Sequence, residues 1–184
     1  MTVRPPESFA LDRLPTPIGV MLLVTDAEGA LCALDWEDHE PRLKTLLRLQ
    51  HGAPVLQVAP APGATRTALS EYFAGDLKAL GTIAWRVAGT AFQRKVWNGL
   101  RTIPPGTTTS YGALAARLGI PRAVRAVGFA NGSNPISIVV PCHRVIGADG
   151  SLTGYGGGLD RKRWLLQHEG VVLKPAARGG AMAA

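Results

Sequence analysis

Two periodicities divide the chain. In the first third, apolar runs at residues 18–24 and 30–36 flank Asp26-Ala27-Glu28-Gly29, a pattern that predicts two strands joined by a hairpin. From Pro41 the spacing becomes helical, with Leu43, Leu46, Leu47 and Gln50 recurring before Gly52. Ala59-Pro60-Ala61-Pro62-Gly63 reads as a loop, residues 65–73 as a short helix stopped by Gly75, and residues 82–87 as a last strand. Together these predict a small α/β unit over residues 1–88, with Cys32 packed inside an apolar run.

The second half has a different texture. Phe92, Val96, Trp97 and Leu100 share one helical face, and Pro104-Pro105-Gly106 closes that element. Ser110 is placed to N-cap a helix that Gly119 ends. Pro121 suits the first turn of a following helix running from Arg122 to about Ala130. Two short helices across a tight glycine turn form a helix-turn-helix pattern. The second helix offers a small face (Ala123, Ala126, Ala130) with Arg122 and Arg125 and no Asn, Gln or Glu to read base edges. That face suits close approach to a nucleic-acid backbone or minor groove. A short apolar strand is expected at residues 136–140, after Asn131-Gly132-Ser133-Asn134-Pro135. A final helix is expected at residues 161–169, capped by Asp160 and stopped by Gly170.

Charge sharpens this division. The whole 184-residue chain carries +7. Residues 1–88 hold 8 Lys and Arg against 10 Asp and Glu, a balance of −2, and residues 89–184 hold 12 against 3, a balance of +9. The excess basicity lies in the half with the helix pair, which points to a polyanion partner, although a basic surface also serves solubility. Two cysteines make no disulfide framework, no run approaches the roughly 18 apolar residues of a membrane span, and the first fifteen residues lack a signal-peptide core. The expected location is the cytoplasm.

Candidate chemistry centres on Pro141-Cys142-His143-Arg144-Val145. Cys142 follows a proline that stops the expected strand, and His143 and Arg144 next to it would favour the thiolate. A relay between adjacent residues requires a turn, because neighbours on a strand face opposite ways. Two cysteines and four histidines without CxxC or HExxH spacing give a metal site little to work with. Gly154-Tyr155-Gly156-Gly157-Gly158 is a tightly turned loop without the form of a phosphate-binding P-loop. Spacing leaves Glu169 either solvated beside His168 or partnering His143, and Cys, His and Glu in that order also admit a thiol hydrolase.

Several of these segments also carry a family resemblance. The run from Asn134 to Gly147 (NPISIVVPCHRVIG), Gly154-Tyr155-Gly156-Gly157-Gly158 and Trp164-Leu165-Leu166-Gln167-His168-Glu169-Gly170 closely resemble the methylated-DNA–protein-cysteine methyltransferases, the O6-alkylguanine-DNA alkyltransferases. The likeness continues upstream through Phe92-Gln93-Arg94-Lys95-Val96-Trp97, Ser110-Tyr111 and Arg125-Ala126-Val127-Gly128, and is looser in the first half, chiefly at Thr16-Pro17-Ile18-Gly19. It implies an α/β ribonuclease-H-like domain over residues 1–88. A mostly α, winged-helix-like DNA-binding domain would span residues 89–172, with a short strand leading to the active cysteine, and residues 173–184 would be a tail.

The resemblance implies that Cys142 accepts the alkyl group, with His143 and Glu169 generating its thiolate through water and Asn134 bracing the turn. It implies that Tyr111 contacts the phosphate and the departing base. Arg125 would fill the stack, and Arg122, Ala123, Ala126 and Gly128 would lie along the DNA. Asn131, Val145 (through its carbonyl), Tyr155, Gly156 and Gly157 would line the pocket. Gly156 stands where other members have Ser, and the zinc ligands some relatives carry have no counterpart around Cys32. The implied protein is a cofactor-free monomer that acts once on O6-alkylguanine in double-stranded DNA, and activity on O4-alkylthymine is left open. It would bind in the minor groove with the base flipped. The alternative is a helix-turn-helix protein that binds without transfer.

Overall fold

The computed structural model describes residues 8–52 and 54–173. The tail expected from residue 173 lies, beyond that residue, outside the described residues. A four-stranded sheet is built from β1 (Ser8–Thr16), β2 (Gly19–Thr25), β3 (Leu31–Trp36) and β4 (Val55–Val58), in the order β3-β2-β1-β4. Pairings are antiparallel except β1 with β4, which are parallel. Helix α1 (Glu40–His51) makes the crossover between β3 and β4. The sheet is mixed, and helices cover both of its faces.

The apolar run of β2 reflects this double cover. Leu22 and Val24 face α1, where they join Phe9, Leu11, Cys32, Leu43 and Leu47. Met21 and Leu23, one residue out of phase, face the opposite way into the main core. That core continues through Leu69 and Tyr72 of α2 (Gly63–Ala74) and Val96, Trp97 and Leu100 of α3 (Ala91–Arg101). It reaches Val127 of α5 (Val124–Gly132) and Leu165 of α6 (Leu159–His168). One contiguous hydrophobic cluster therefore runs through both halves of the sequence.

The hairpin, α1 and α2 fall where the sequence predicts them, and the turn closes with Asp26 N–H donating to Ala30 O at 3.0 Å. Two expected strands do not form. Residues 79–82 make a 3₁₀ turn, after which only Trp85 bridges Leu31. At residues 136–140 only Ile136 bridges, to Leu34, and the chain then turns. Both segments compete for the free edge of β3, and each holds only part of it. Leu31 bonds to Ala84 and Arg86, whereas Leu34 bonds to Pro135 and Ser137. The edge of the sheet thus serves as the attachment strip for the segment that leads to Cys142.

In the second half, Thr90 and Gln93 form a reciprocal capping box on α3. Ser110 caps α4 (Tyr111–Arg117) by accepting from Ala113 N–H at 3.1 Å. The second helix of the pair, α5, begins two residues later than expected, with Ala123 rather than a residue before Arg122 at its cap. Asp160 sits inside the first turn of α6 rather than capping it; Gly158, at φ 90°, holds the cap position. A two-residue parallel pair also forms, β5 (Thr109–Ser110) with β6 (Val145–Ile146). It ties the entry of α4 to the segment just after Cys142. Among the described residues no helix is long and apolar enough to cross a membrane.

Candidate active site

Asn134, fully buried, organises the segment that carries the thiol. Its Oδ1 accepts from Ile136 N–H at 3.0 Å, and its Nδ2 donates to Val140 O at 2.8 Å and to Cys142 Sγ at 3.1 Å. Between these anchors the backbone folds into successive tight turns, with Val140 N–H on Ile136 O at 3.0 Å and Cys142 N–H on Val140 O at 2.8 Å. Ile138 lies at φ 68°, a conformation that β-branched residues seldom adopt. The turn at Pro141 opens a single 3₁₀ turn, Cys142–Arg144, which meets the requirement that adjacent Cys and His not sit on a strand.

His143 and Glu169 meet across the core, with His143 Nε2 2.9 Å from Glu169 Oε1 and both side chains fully buried. Arg144 donates through Nε to Oε2 and through Nη2 to Oε1, each at 2.8 Å, and through Nη1 to Ile103 O at 2.6 Å. Tyr72 of α2 donates its hydroxyl to Glu169 Oε1 at 2.8 Å. Burial alone would raise the Glu169 carboxyl. The hydrogen bonds and charges of His143 and Arg144 outweigh it and hold the group well below the usual carboxylate range. Glu169 is therefore an acceptor and His143 Nε2 carries the hydrogen. Burial also lowers the His143 pKa against the pull of Glu169, so the ring is neutral, with its lone pair on Nδ1. Nδ1 is buried and meets no hydrogen-bond partner among the described residues.

Burial pushes the Cys142 thiol up, and the Asn134 amide together with the charges of Arg42 and Lys162 opposes this. The cation expected to favour the thiolate, Arg144, is instead committed to Glu169. Arg42 pairs with the buried Asp35 and donates from Nη2 to Gly132 O at 2.8 Å and Asn134 O at 3.1 Å, bracing the same turn from the α1 side. Lys162, fully buried on α6, donates to Val145 O at 2.6 Å and Thr153 O at 2.9 Å. Burial lowers its pKa to about 8.

Of the residues singled out in the sequence, Cys142, His143, Asn134 and Glu169 come together as one buried cluster. Tyr155 stands beside it, its ring 6.4 Å from that of His143. Gly156 and Gly157 let the loop press on the first half of the chain, because a Cβ would fall 2.4 Å from Arg42 Cζ and 2.3 Å from Trp36 Nε1 respectively. Val145 is buried, with its carbonyl already accepting from Lys162, and Asn131 is buried with Oδ1 unpaired among the described residues. Tyr111, half-buried at the start of α4, lies against Gly128 and accepts from the Thr153 hydroxyl at 3.1 Å. Arg122, Arg125 and Ala126 are exposed and Ala123 partly so, and Phe129 of α5 also stands out, whereas the thiol cluster is buried.

Sequence reasoning missed Arg42, Tyr72, Thr153 and Lys162. Lys162 alone left a signal, since it lies three and four residues before the buried Leu165 and Leu166 on the inward face of α6. Among the described residues no three or more His, Cys, Asp or Glu side chains gather as a metal site.

Comparison with known proteins covers both halves. Residues 91–171 match the family model described as "6-O-methylguanine DNA methyltransferase, DNA binding domain". The methylated-DNA–protein-cysteine methyltransferase of Salmonella typhimurium is 49% identical over 164 residues, spanning 88% of this chain and 96% of the relative. That of Haemophilus influenzae is 43% identical over 157 residues, spanning 85% and 84%. Among solved structures, Mycobacterium tuberculosis OGT in complex with DNA superposes with a TM-score of 0.74 at 42% identity, covering 87% of this chain and 92% of that one. The O6-methylguanine-DNA methyltransferase of Pyrococcus kodakaraensis gives 0.66 at 25% identity, covering 89% and 99%. With close to half of its positions shared along almost the full length of the Salmonella protein, this chain belongs to the methylated-DNA–protein-cysteine methyltransferase family.

Proposed function

We propose that this protein repairs O6-alkylguanine in double-stranded DNA by moving the alkyl group to Cys142, once per molecule. The observation that carries the reading is the buried Cys142, His143, Asn134 and Glu169 cluster, joined by the turns of residues 133–141 to the second helix of a basic helix pair. Glu169 holds neutral His143 with Nδ1 free to take the thiol proton through a water, and Asn134, Arg42 and Lys162 favour the thiolate as it forms. The thiolate attacks the alkyl carbon in line. The S–C bond forms as the C–O6 bond breaks, and guanine leaves with the electron pair and takes up a proton. The thioether has no easy leaving group, which makes the reaction stoichiometric, and no cofactor takes part in the scheme.

O6 of guanine is inaccessible in a stacked duplex, so the nucleotide must rotate out, at roughly a few kcal/mol. Exposed Arg125 on small-faced α5 suits filling the gap from the minor groove, with Arg122, Ala123, Ala126 and Gly128 along the backbone. Tyr111 would meet the phosphate and the base. Asn131, Val145, Tyr155, Gly156 and Gly157 would enclose the base. In this reading residues 1–88 are a ribonuclease-H-like domain, residues 89–172 a winged-helix-like domain, and the protein works as a monomer in the cytoplasm.

The test is to incubate the protein with duplex DNA containing O6-methylguanine, digest it, and weigh the Cys142 peptide. One added methyl group per molecule is expected. An unmodified peptide from protein that binds the lesion would leave a binder without transfer, and continued turnover would indicate a hydrolase.

A further inference from the structure

We propose that Thr153 is a positioning residue for Tyr111, donating its hydroxyl hydrogen to the phenol oxygen so that the phenol hydrogen stays aimed at the extruded nucleotide. The proposal rests on the reading above, in which Tyr111 faces that nucleotide.

Thr153 lies between β6 and α6, with its hydroxyl oxygen 3.1 Å from that of Tyr111. Its place is set from below, because the buried Lys162 ammonium grips Thr153 O at 2.9 Å and Val145 O at 2.6 Å, drawing both ends of the 145–153 segment to one point. The β5–β6 pair brings the start of α4 beside the start of the same segment. On its other side the Tyr111 ring rests near Gly128, where a Cβ would stand 3.7 Å away. The ring is thus held between α5 and the 145–153 segment, and the hydroxyl contact decides how its one hydrogen points. A phenol has one hydrogen to give and lone pairs to receive with. When Thr153 donates, Tyr111 accepts without spending its own hydrogen, and a hydroxyl that already accepts a hydrogen bond is the stronger donor. Valine at 153 would keep the shape and remove the donor.

Single-turnover transfer from duplex O6-methylguanine, read together with DNA affinity, tests this. Thr153→Val should slow transfer about fivefold, the factor supplied by one net hydrogen bond of about 1 kcal/mol, with DNA affinity falling by no more than that factor. Thr153→Ser should restore the rate. In a Tyr111→Phe background Thr153→Val should add nothing, because the oxygen it serves is gone. Thr153→Ala takes its place if the valine variant does not fold. Wild-type rate in the single variant, failure of serine to rescue, or the same fivefold loss on top of Tyr111→Phe would each overturn the proposal. Absence of methyl transfer by the wild-type protein would instead bring down the functional reading beneath it.

Discussion

At the residue scale, Asn134 satisfies three backbone groups and touches the thiol with one side chain, while Ile138 beside it occupies strained backbone. Asn134→Ala takes the acceptor from the buried Ile136 N–H and one of two donors from each of Ile136 O and Val140 O, and a loss of about 2–4 kcal/mol in urea-unfolding stability is expected. It also removes a group that favours the thiolate, so alkylation of Cys142 by iodoacetamide should need a higher pH than in the wild type. Cys32, pushed up to about 12 chiefly by burial, provides an unreactive comparison. Acid should act through the relay. The folded pKa of His143 is depressed below its ordinary 6.5, so the unfolded chain takes up a proton first and stability falls as the pH drops beneath about 6.5. Glu169, also depressed, contributes stability that is whole above about 4.5 and disappears at still lower pH. Both act in the same direction. The urea midpoint should therefore fall between pH 7 and pH 5, and His143→Gln should flatten that limb; an unchanged slope in the variant would exclude His143 as its source.

Elements that are local in sequence were readable in advance, and those made by long-range pairing were not. The hairpin at Asp26–Gly29, α1 and the helix pair follow from turn residues and apolar spacing within a few positions. Strand β1 mixes Asp12, Arg13 and Pro15 among its apolar residues, and β4 is a short, mostly exposed edge, so neither reads as an apolar run. The bridges at Trp85 and Ile136 exist only because β3 leaves an edge to share, and no local pattern encodes that competition. The site divides in the same way: Cys142, His143 and Asn134 lie within ten residues, whereas spacing leaves Glu169 ambiguous and only the packing of α6 turns it inward. The helix pair also has an element-scale consequence. Arg125 stands exposed on α5 whereas Cys142 is buried, so Arg125→Ala should slow duplex repair at least tenfold more than transfer from free O6-benzylguanine, because only the duplex requires extrusion. Equal losses on the two substrates would place Arg125 in the chemistry instead.

At the scale of the whole molecule, charge and packing partition differently. The chain balances −2 in residues 1–88 against +9 in residues 89–184, yet the hydrophobic cluster ignores that boundary and joins Met21, Tyr72, Trp97 and Leu165. Tyr72 shows what this union does for the site. Placed by α2 in the near-neutral half, fully buried, it donates to Glu169 at 2.8 Å, while its own carbonyl lies 2.7 Å from His168 Nε2. The acceptor is charged and buried, so the bond is of the stronger kind, about 1.5–3 kcal/mol. Tyr72→Phe removes the hydroxyl without opening a cavity. Glu169 keeps its bonds from His143 and Arg144, so alkyl transfer to Cys142 should persist while the urea midpoint falls by the equivalent of about 2 kcal/mol. Because one core spans both halves, tryptophan fluorescence and far-ultraviolet circular dichroism should shift together as a single transition. Separate transitions, with only one moved by the substitution, would mean that the two halves unfold independently and that the first supports the relay by contact alone.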